Sequence, residues 1–332
     1  MNNNFRRSLV IIALTAALLI IAPMSMYGGA ADLTFKDIFD ALLSRGNAEN
    51  IIIVRELCLP QMVLALLCGA ALGLAGAVLQ SVLHNDLASP DILGISAGGG
   101  TAGLLMLLYF PHFAAYSGIA AFAGAFAAAM LIYLTAWKQG CSPGRLILSG
   151  VALSSLFGAF STILLLLNQE KLVGIFDFTL GSFTNKSWEE LNLFAPCFIS
   201  AFAGAALLGK RLDILALGDE NAASLGLNVE LTRSLALAVA ALAAAGAAGC
   251  AGLLGFAGLI APHTARLLGN GGMHKYMLSA SALLGALLVI CGDWLGRLLP
   301  EPPLELPAGV FLSVAGSLFF LLLLLNSHRS LK

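Results

Sequence analysis

The stretch HNDLASPDILGISAGGG, His84 to Gly100, lies between two long apolar runs, Pro60 to Leu83 and Leu93 to Phe110. Pro90 interrupts helical hydrogen bonding within it. Asp91 stands where the next helix should begin, so that its negative charge meets the positive end of the helix dipole. An apolar anchor would need no such polar, proline-containing connection. The stretch therefore predicts two membrane helices that meet at an ordered, functional bend.

The composition around this bend is that of an all-α integral membrane protein. The chain has 332 residues, of which 59% are hydrophobic and 11% charged, whereas about 25% are charged in soluble domains. A helix needs about 20 apolar residues to cross the bilayer core. About ten transmembrane helices are predicted, at 8–27, 60–83, 93–110, 115–136, 146–168, 191–209, 232–250, 255–269, 278–298 and 308–326. The eighth segment is short for a full span, and the whole chain, 1–332, forms one transmembrane domain.

The basic residues predict the orientation. Ten spans place both termini on one side, and that side holds 11 of the 17 basic residues: Arg6, Arg7, Lys138, Arg145, Lys210, Arg211, Arg233, Arg266, Lys275, Arg329 and Lys332. The positive-inside rule then puts both termini in the cytoplasm. An alternative for the first segment is a secretory signal, because it follows Arg6 and Arg7 and ends near small residues. The net charge of −1 gives no general surface for nucleic acid.

Sequence motifs for enzymatic chemistry are missing. The chain contains no G-x-x-x-x-G-K-[ST] loop, no H-E-x-x-H and no C-x-x-C pair. The six cysteines read as small buried hydrophobes, and no metal site is predicted. Asp293 is expected to pair with Arg297, one helical turn later. We therefore expect a translocation path rather than an enzyme, with a proton-coupled secondary transporter as the alternative.

Three connections between spans carry further predictions. The outer loop 28–59 contains a helical pattern, Leu33 to Leu43, that should lie along the membrane surface. The outer stretch 169–190 reads as a short helix with a turn at Gly181. The inner loop 210–233 contains a compact helix that begins at Gly218 and Asp219, with Asp219 as its cap.

Motifs in chain order resemble the permeases of iron-siderophore, haem and cobalamin ABC importers. The first match carries Leu59, Pro60, Gly69, Ala70, Leu72, Gly76, Gln80, Asn85, Leu87, Ala88, Pro90, Leu93, Gly94 and Gly98. The second is GFAGLIAPHTARLLG, Gly255 to Gly269, and the third is Glu305, Pro307, Gly309 and Gly316. The loop LGDENAASLGL, Leu217 to Leu227, is similar to the family's inner loop that docks on the ATPase. These matches extend over nearly the whole chain.

The resemblance implies the type II ABC importer permease fold in a bacterial inner membrane, as a dimer of twenty helices and most simply a homodimer. It implies ATP-binding cassette ATPase subunits inside, which would hold ATP and Mg²⁺, and a substrate-binding protein outside; this chain would bind no cofactor. The implied ATPase-coupling residues are Leu217, Gly218, Asp219, Glu220, Ala222, Leu225 and Gly226. The implied gate and pathway residues are Ser142, Pro143, Gly144, Asn85, Pro90 and Gly94.

The outer docking site departs from the family pattern. Members often carry Arg-Leu-Pro-Arg at the start of the second span, where this chain has Cys58, Leu59, Pro60 and Gln61. Arg297 remains at the matching outer end of the ninth span, and Arg55 lies one turn before Cys58. Arg55 and Arg297 are therefore the predicted docking residues for the binding protein. The expected cargo is an iron-siderophore or a related chelate, moved by alternating access.

Overall fold

A computed structural model describes residues 3–28, 33–137, 143–300 and 304–327, and within these ranges all regular structure is helical. The α-helices are α1 Asn3–Met24, α2 Phe35–Leu42, α3 Ala48–Ile52, α4 Leu59–Leu83, α5 Ile95–Tyr109, α6 Ser117–Trp137, α7 Pro143–Leu167, α8 Phe176–Leu180, α9 Trp188–Leu215, α10 Asp219–Ser224, α11 Val229–Ala251, α12 Ala257–Gly269, α13 His274–Leu298 and α14 Ala308–Ser327. A π-helical turn, Ile53–Cys58, joins α3 to α4 without a break, and short 3₁₀ turns precede α6 and α8.

A helix stands at each of the ten predicted segments, but the described part of the chain has seven helices long and apolar enough to cross a membrane. The helices at the third, eighth and tenth segments fall outside that set. α5 has 15 residues and α12 has 13. Each is shorter than its predicted segment, because the last residues of the bend and the residues just before Ala257 are not helical. The count of ten spans stays a prediction.

The centre of the bundle is α4, which packs along α13 and also contacts α11, α12 and α9. Glycines allow the backbones of α4 and α13 to touch. A Cβ on Gly69 would lie 2.3 Å from the carbonyl oxygen of Gly285, and one on Gly73 would lie 2.1 Å from that of Ser281. Close backbone packing of this kind supplies the attraction between helices that lipid cannot.

Other helices lie at the edge of the bundle. α7 is one of them: only 6% of the residues in its most apolar stretch are buried, and Leu148, Phe160 and Leu166 are exposed along it. α1 is attached at its start, where Arg6 Nε donates to the carbonyl oxygen of Leu268 at 2.8 Å. This bond places the beginning of α1 beside the end of α12, at one end of the bundle. We call this end the bend end, because the segment after α4 lies there too.

The opposite end carries α2 and α8, at the places where the sequence predicts short helices. Thr34 caps α2 in a reciprocal arrangement with Asp37, and the hydrogen bonds from the Thr34 hydroxyl and N–H lower the pKa of Asp37 below its ordinary value. Ile38 faces inward and Phe39 outward, as suits a helix on a membrane surface. α8 ends at Leu180, and the next residue, Gly181, makes the predicted turn with a φ of +73°.

Candidate coupling site at the bend end

The bend runs from His84 to Gly94. His84 adopts the left-handed conformation, with φ of 46°, and its N–H donates to the carbonyl oxygen of Gln80, which ends α4. Asn85 Oδ1 then accepts the N–H of Leu87 at 2.9 Å, so the Asn85 side chain caps a backbone group of the bend. Gly94, with φ of +79°, is the N-cap of α5. Local hydrogen bonds and two left-handed residues therefore shape this connection.

The bend is held between two other helices. A Cβ on Gly94 would lie 2.7 Å from Ser154 Oγ of α7, so only glycine fits there without a shift. Pro90 lies against α12, where its Cδ is 2.9 Å from the position of a Cβ on Gly258. Any movement of α7 or α12 would therefore act directly on the bend.

The helix of the inner loop is α10, between α9 and α11. Its N-cap is Gly218, with φ of +94°, and no side chain caps it. The predicted capping role of Asp219 is wrong, because Asp219 is the first helical residue and its carboxylate turns to Arg233 of α11, at 2.8 Å. The helix ends before Gly226, with φ of +82°, where the N–H of Leu227 donates to the carbonyl oxygen of Ala222 at 3.0 Å.

Some side chains at this loop are buried, and others are exposed to solvent. Ala222 is fully buried and the guanidinium of Arg233 is 5% exposed. Leu217 and Leu225 are 56% and 63% exposed, and Glu220 is also exposed. Exposed leucines on either side of a short helix, with an exposed carboxylate between them, form a surface suited to a protein partner.

A polar contact connects α10 to the bend, and an ion pair connects the bend to α12. His84 Nε2 lies 3.9 Å from Asp219 Oδ1, a distance at which a protonated imidazole forms an ion pair. Asp86, next in the bend, pairs with Arg266 of α12 at 2.5 Å. A second nitrogen of Arg266 donates to Gln80 Oε1 at 3.2 Å. A displacement of α10 can therefore be transmitted through these polar contacts to the end of α4 and to α12.

A buried histidine that the sequence analysis did not single out connects its own helix to two others nearby through hydrogen bonds. His274, at the start of α13, contacts Asp213 Oδ1 of α9 through Nδ1 at 2.9 Å and Ser81 Oγ of α4 through Nε2 at 2.7 Å. Asp213 also accepts the N–H of His274 at 2.8 Å. No sequence pattern indicates this cluster, because its three residues come from distant parts of the chain.

The predicted gate lies partly beyond the described residues. Ser142 lies outside them. Pro143 is the first residue of α7, and Gly144 follows in an exposed position with nothing within 4 Å of an added Cβ. The structure therefore places the described gate residues at the start of α7, whereas Asn85, Pro90 and Gly94 form the separate bend.

The two predicted docking arginines have different surroundings. Arg55 is half-buried, and its Nη2 donates to the carbonyl oxygen of Leu42 at 2.7 Å. Arg297 is buried and pairs with Asp293, which confirms that predicted pair. Gln61, at the position where the family often has arginine, donates to Asp293 Oδ1 at 3.3 Å. Arg297 therefore reaches an outside partner only if this buried cluster opens.

Comparison with known proteins agrees with this architecture. The profile of the FecCD transport family matches residues 11–326. The chain belongs to that family. It is 37% identical over 320 residues to the Fe(3+)-citrate import system permease protein YfmE of Bacillus subtilis (strain 168), covering 96% of this chain and 95% of that one. It is 33% identical to the ferric enterobactin transport system permease protein FepG of Escherichia coli (strain K12), covering 98% of each.

A solved structure shares the fold as well. It shows a metal-chelate type ABC transporter in an inward-facing conformation, with a TM-score of 0.84 and 28% identity over 96% of this chain and 99% of that chain. The FecCD chain is therefore a multi-pass membrane permease of the ABC-transporter type and not an enzyme. Among the described residues no group of three or more metal-ligating side chains occurs.

Proposed function

We propose that the chain is the permease of an ATP-driven importer that moves a ferric siderophore, or a related chelate such as haem or cobalamin, across the bacterial inner membrane. Its termini lie in the cytoplasm, and the bend end faces the ATPase. The observation that carries the proposal is α10, which the Asp219–Arg233 pair anchors to α11 while the leucines on either side of it, Leu217 and Leu225, remain exposed. Relatives named for ferric citrate and ferric enterobactin support an iron chelate as cargo.

In the proposed mechanism two ATPase subunits bind ATP and Mg²⁺ and close on each other, and each one moves the α10 that it holds. The Asp219–Arg233 pair passes the movement to α11, and the contact of Asp219 with His84 passes it to the end of α4. The bend is held between α7 and α12, so the movement changes how these helices pack. This alternation opens the path to one side of the membrane at a time.

The proposed transporter contains a second permease subunit, in a homodimer, and a substrate-binding protein outside. The exposed apolar helices α7 and α14 offer a face for the second copy. On the outside, Arg55 is the more accessible of the two docking arginines, since Arg297 is buried. Because Gln61 joins the buried cluster, docking should depend less on charge pairs here than the family pattern implies.

The test is to co-express the chain with its ATPase and binding protein, and to compare Gly226→Val with Gly271→Val. Both glycines have positive φ, of +82° and +72°, and nothing lies within 4 Å of an added Cβ. The strain of a left-handed valine, at least about 1–2 kcal/mol, is therefore matched. Gly226→Val should leave ATP hydrolysis in place and abolish iron uptake, whereas Gly271→Val should transport normally.

Equal uptake by the two variants would refute the coupling role of α10. Active uptake by the isolated chain under a pH gradient, with no ATPase, would instead support the proton-coupled alternative. The structure offers little for that alternative, because Asp293, the carboxylate it would use, is already paired with Arg297.

A further inference from the structure

A cavity of about 510 Å³ opens between α5, α8, α14 and the segment before α12. Asp91 is the one charged residue among its described lining residues. The rest of the wall is apolar or uncharged, with the hydroxyl groups of Ser96, Thr179 and Ser313. No basic side chain of the described lining faces Asp91. The single charge in the described lining of this cavity is therefore negative, and its role needs an explanation.

Asp91 lies where two helices begin. The N-cap residues of α5 and α12 are Gly94 and Phe256, and neither provides a side-chain cap. Asp91 supplies the missing anion to both helices. Its Oδ1 accepts the hydroxyl of Ser96, in the first turn of α5, at 2.6 Å. Its Oδ2 accepts the N–H of Phe256, just before α12, at 3.2 Å.

Two converging helix N-termini would otherwise form an anion-binding site. Each N-terminus carries about half a positive charge from its helix dipole, and anions such as phosphate and carboxylate groups bind at such positions. Chelators that hold Fe³⁺ through carboxylate or catecholate oxygens often leave the complex negatively charged. Such a complex would be held at this point in the cavity if the wall lacked an anion of its own.

We propose that Asp91 is a specificity-determining residue that occupies this position as a built-in anion and keeps negatively charged chelates from binding tightly within the cavity. The inference rests on the proposed import function, because it treats the cavity as part of the cargo path. Cargo then passes a wall that neither attracts nor traps it. Selection among chelates is left to the binding protein.

The test measures binding of an inert trivalent anion, hexacyanocobaltate(III), to the purified full-length chain in nanodiscs by titration calorimetry. Neither ATPase nor binding protein is present, so failure of the coupling mechanism cannot produce the result. The variants are Asp91→Asn, which keeps the shape and removes the charge, and Asp91→Glu, which keeps the charge. Thr179→Val is the matched control, because it alters the same wall without changing its charge.

We expect Asp91→Asn to bind the anion at least about tenfold more tightly than the wild type, and added salt should weaken this binding. Asp91→Glu and Thr179→Val should behave like the wild type. A purely structural cap would lower the melting temperature of Asp91→Asn without creating anion affinity, and that result would overturn the inference.

A second neutral variant guards against misfolding of the first. Asp91→Ser retains a side chain that caps helices well but carries no charge, and it should bind the anion as Asp91→Asn does. If neither neutral variant elutes as a folded, monodisperse protein, the charge is required for folding and its role in specificity is refuted.

Discussion

Replacing Gly76 by alanine tests whether the packing of α4 on α12 holds the bundle together. An added Cβ would lie 1.7 Å from the carbonyl oxygen of Gly258, and ordinary contacts begin near 3.4 Å. The two backbones would therefore have to separate by about 1.7 Å at this point, since no flexible side chain can move aside. Overpacking of this kind costs about 1–3 kcal/mol or more, which exceeds the roughly 0.5–1 kcal/mol that alanine gains over glycine within a helix.

The assay is thermal unfolding of the detergent-solubilised chain, followed by size-exclusion chromatography. Gly76→Ala should melt about 5 °C below the wild type, scaled from 2–4 °C per kcal/mol in smaller domains. Gly158→Ala is the control, because Gly158 lies inside α7 and nothing is within 4 Å of its added Cβ. It should match or exceed the wild type. A wild-type melting temperature for Gly76→Ala would show that the α4–α12 contact is looser than described.

Further substitutions test contacts at the bend end. Asp219→Asn removes the carboxylate that pairs with the buried guanidinium of Arg233, and it should lower stability by about 1–2 kcal/mol, discounted because the carboxylate is half exposed. Adding Arg233→Met should recover stability in the same melting assay. His274→Ala removes both ring contacts and should cost about 1–3 kcal/mol, whereas Ser81→Ala loses one and should cost less. Gly94→Ala strains a φ of +79° and places its Cβ 2.7 Å from a hydroxyl of α7, so its membrane abundance should fall on immunoblots.

The sequence predicts the helices well because apolar length and turn residues are local properties. The bend is a clear case, since Pro90 and Gly94 stand where α4 has ended and α5 is about to begin. Helix lengths were harder to predict. The apolar run from Leu93 continues the pattern of a span, but the left-handed conformation of Gly94 delays the start of α5 to Ile95.

The polar contacts of the coupling site could not be predicted from the sequence. Asp219 has the features of a helix cap, yet a buried arginine 14 residues later draws its carboxylate away. His274 and Ser81 are 193 residues apart, and no spacing rule connects them. Arg297 lies outside this site, and its pair with Asp293 was predictable because the two residues are one helical turn apart on α13.

The length of α9 has a practical consequence. Its 28 residues extend about 42 Å at 1.5 Å per residue, about 12 Å more than the hydrocarbon core of a bilayer. Because α10 follows the end of α9 directly, the exposed leucines that flank α10 should lie among or beyond the lipid headgroups. The proposed ATPase subunit can therefore be a peripheral protein that does not contact the acyl chains. High salt or mild urea should strip it from membranes, while the permease leaves only with detergent.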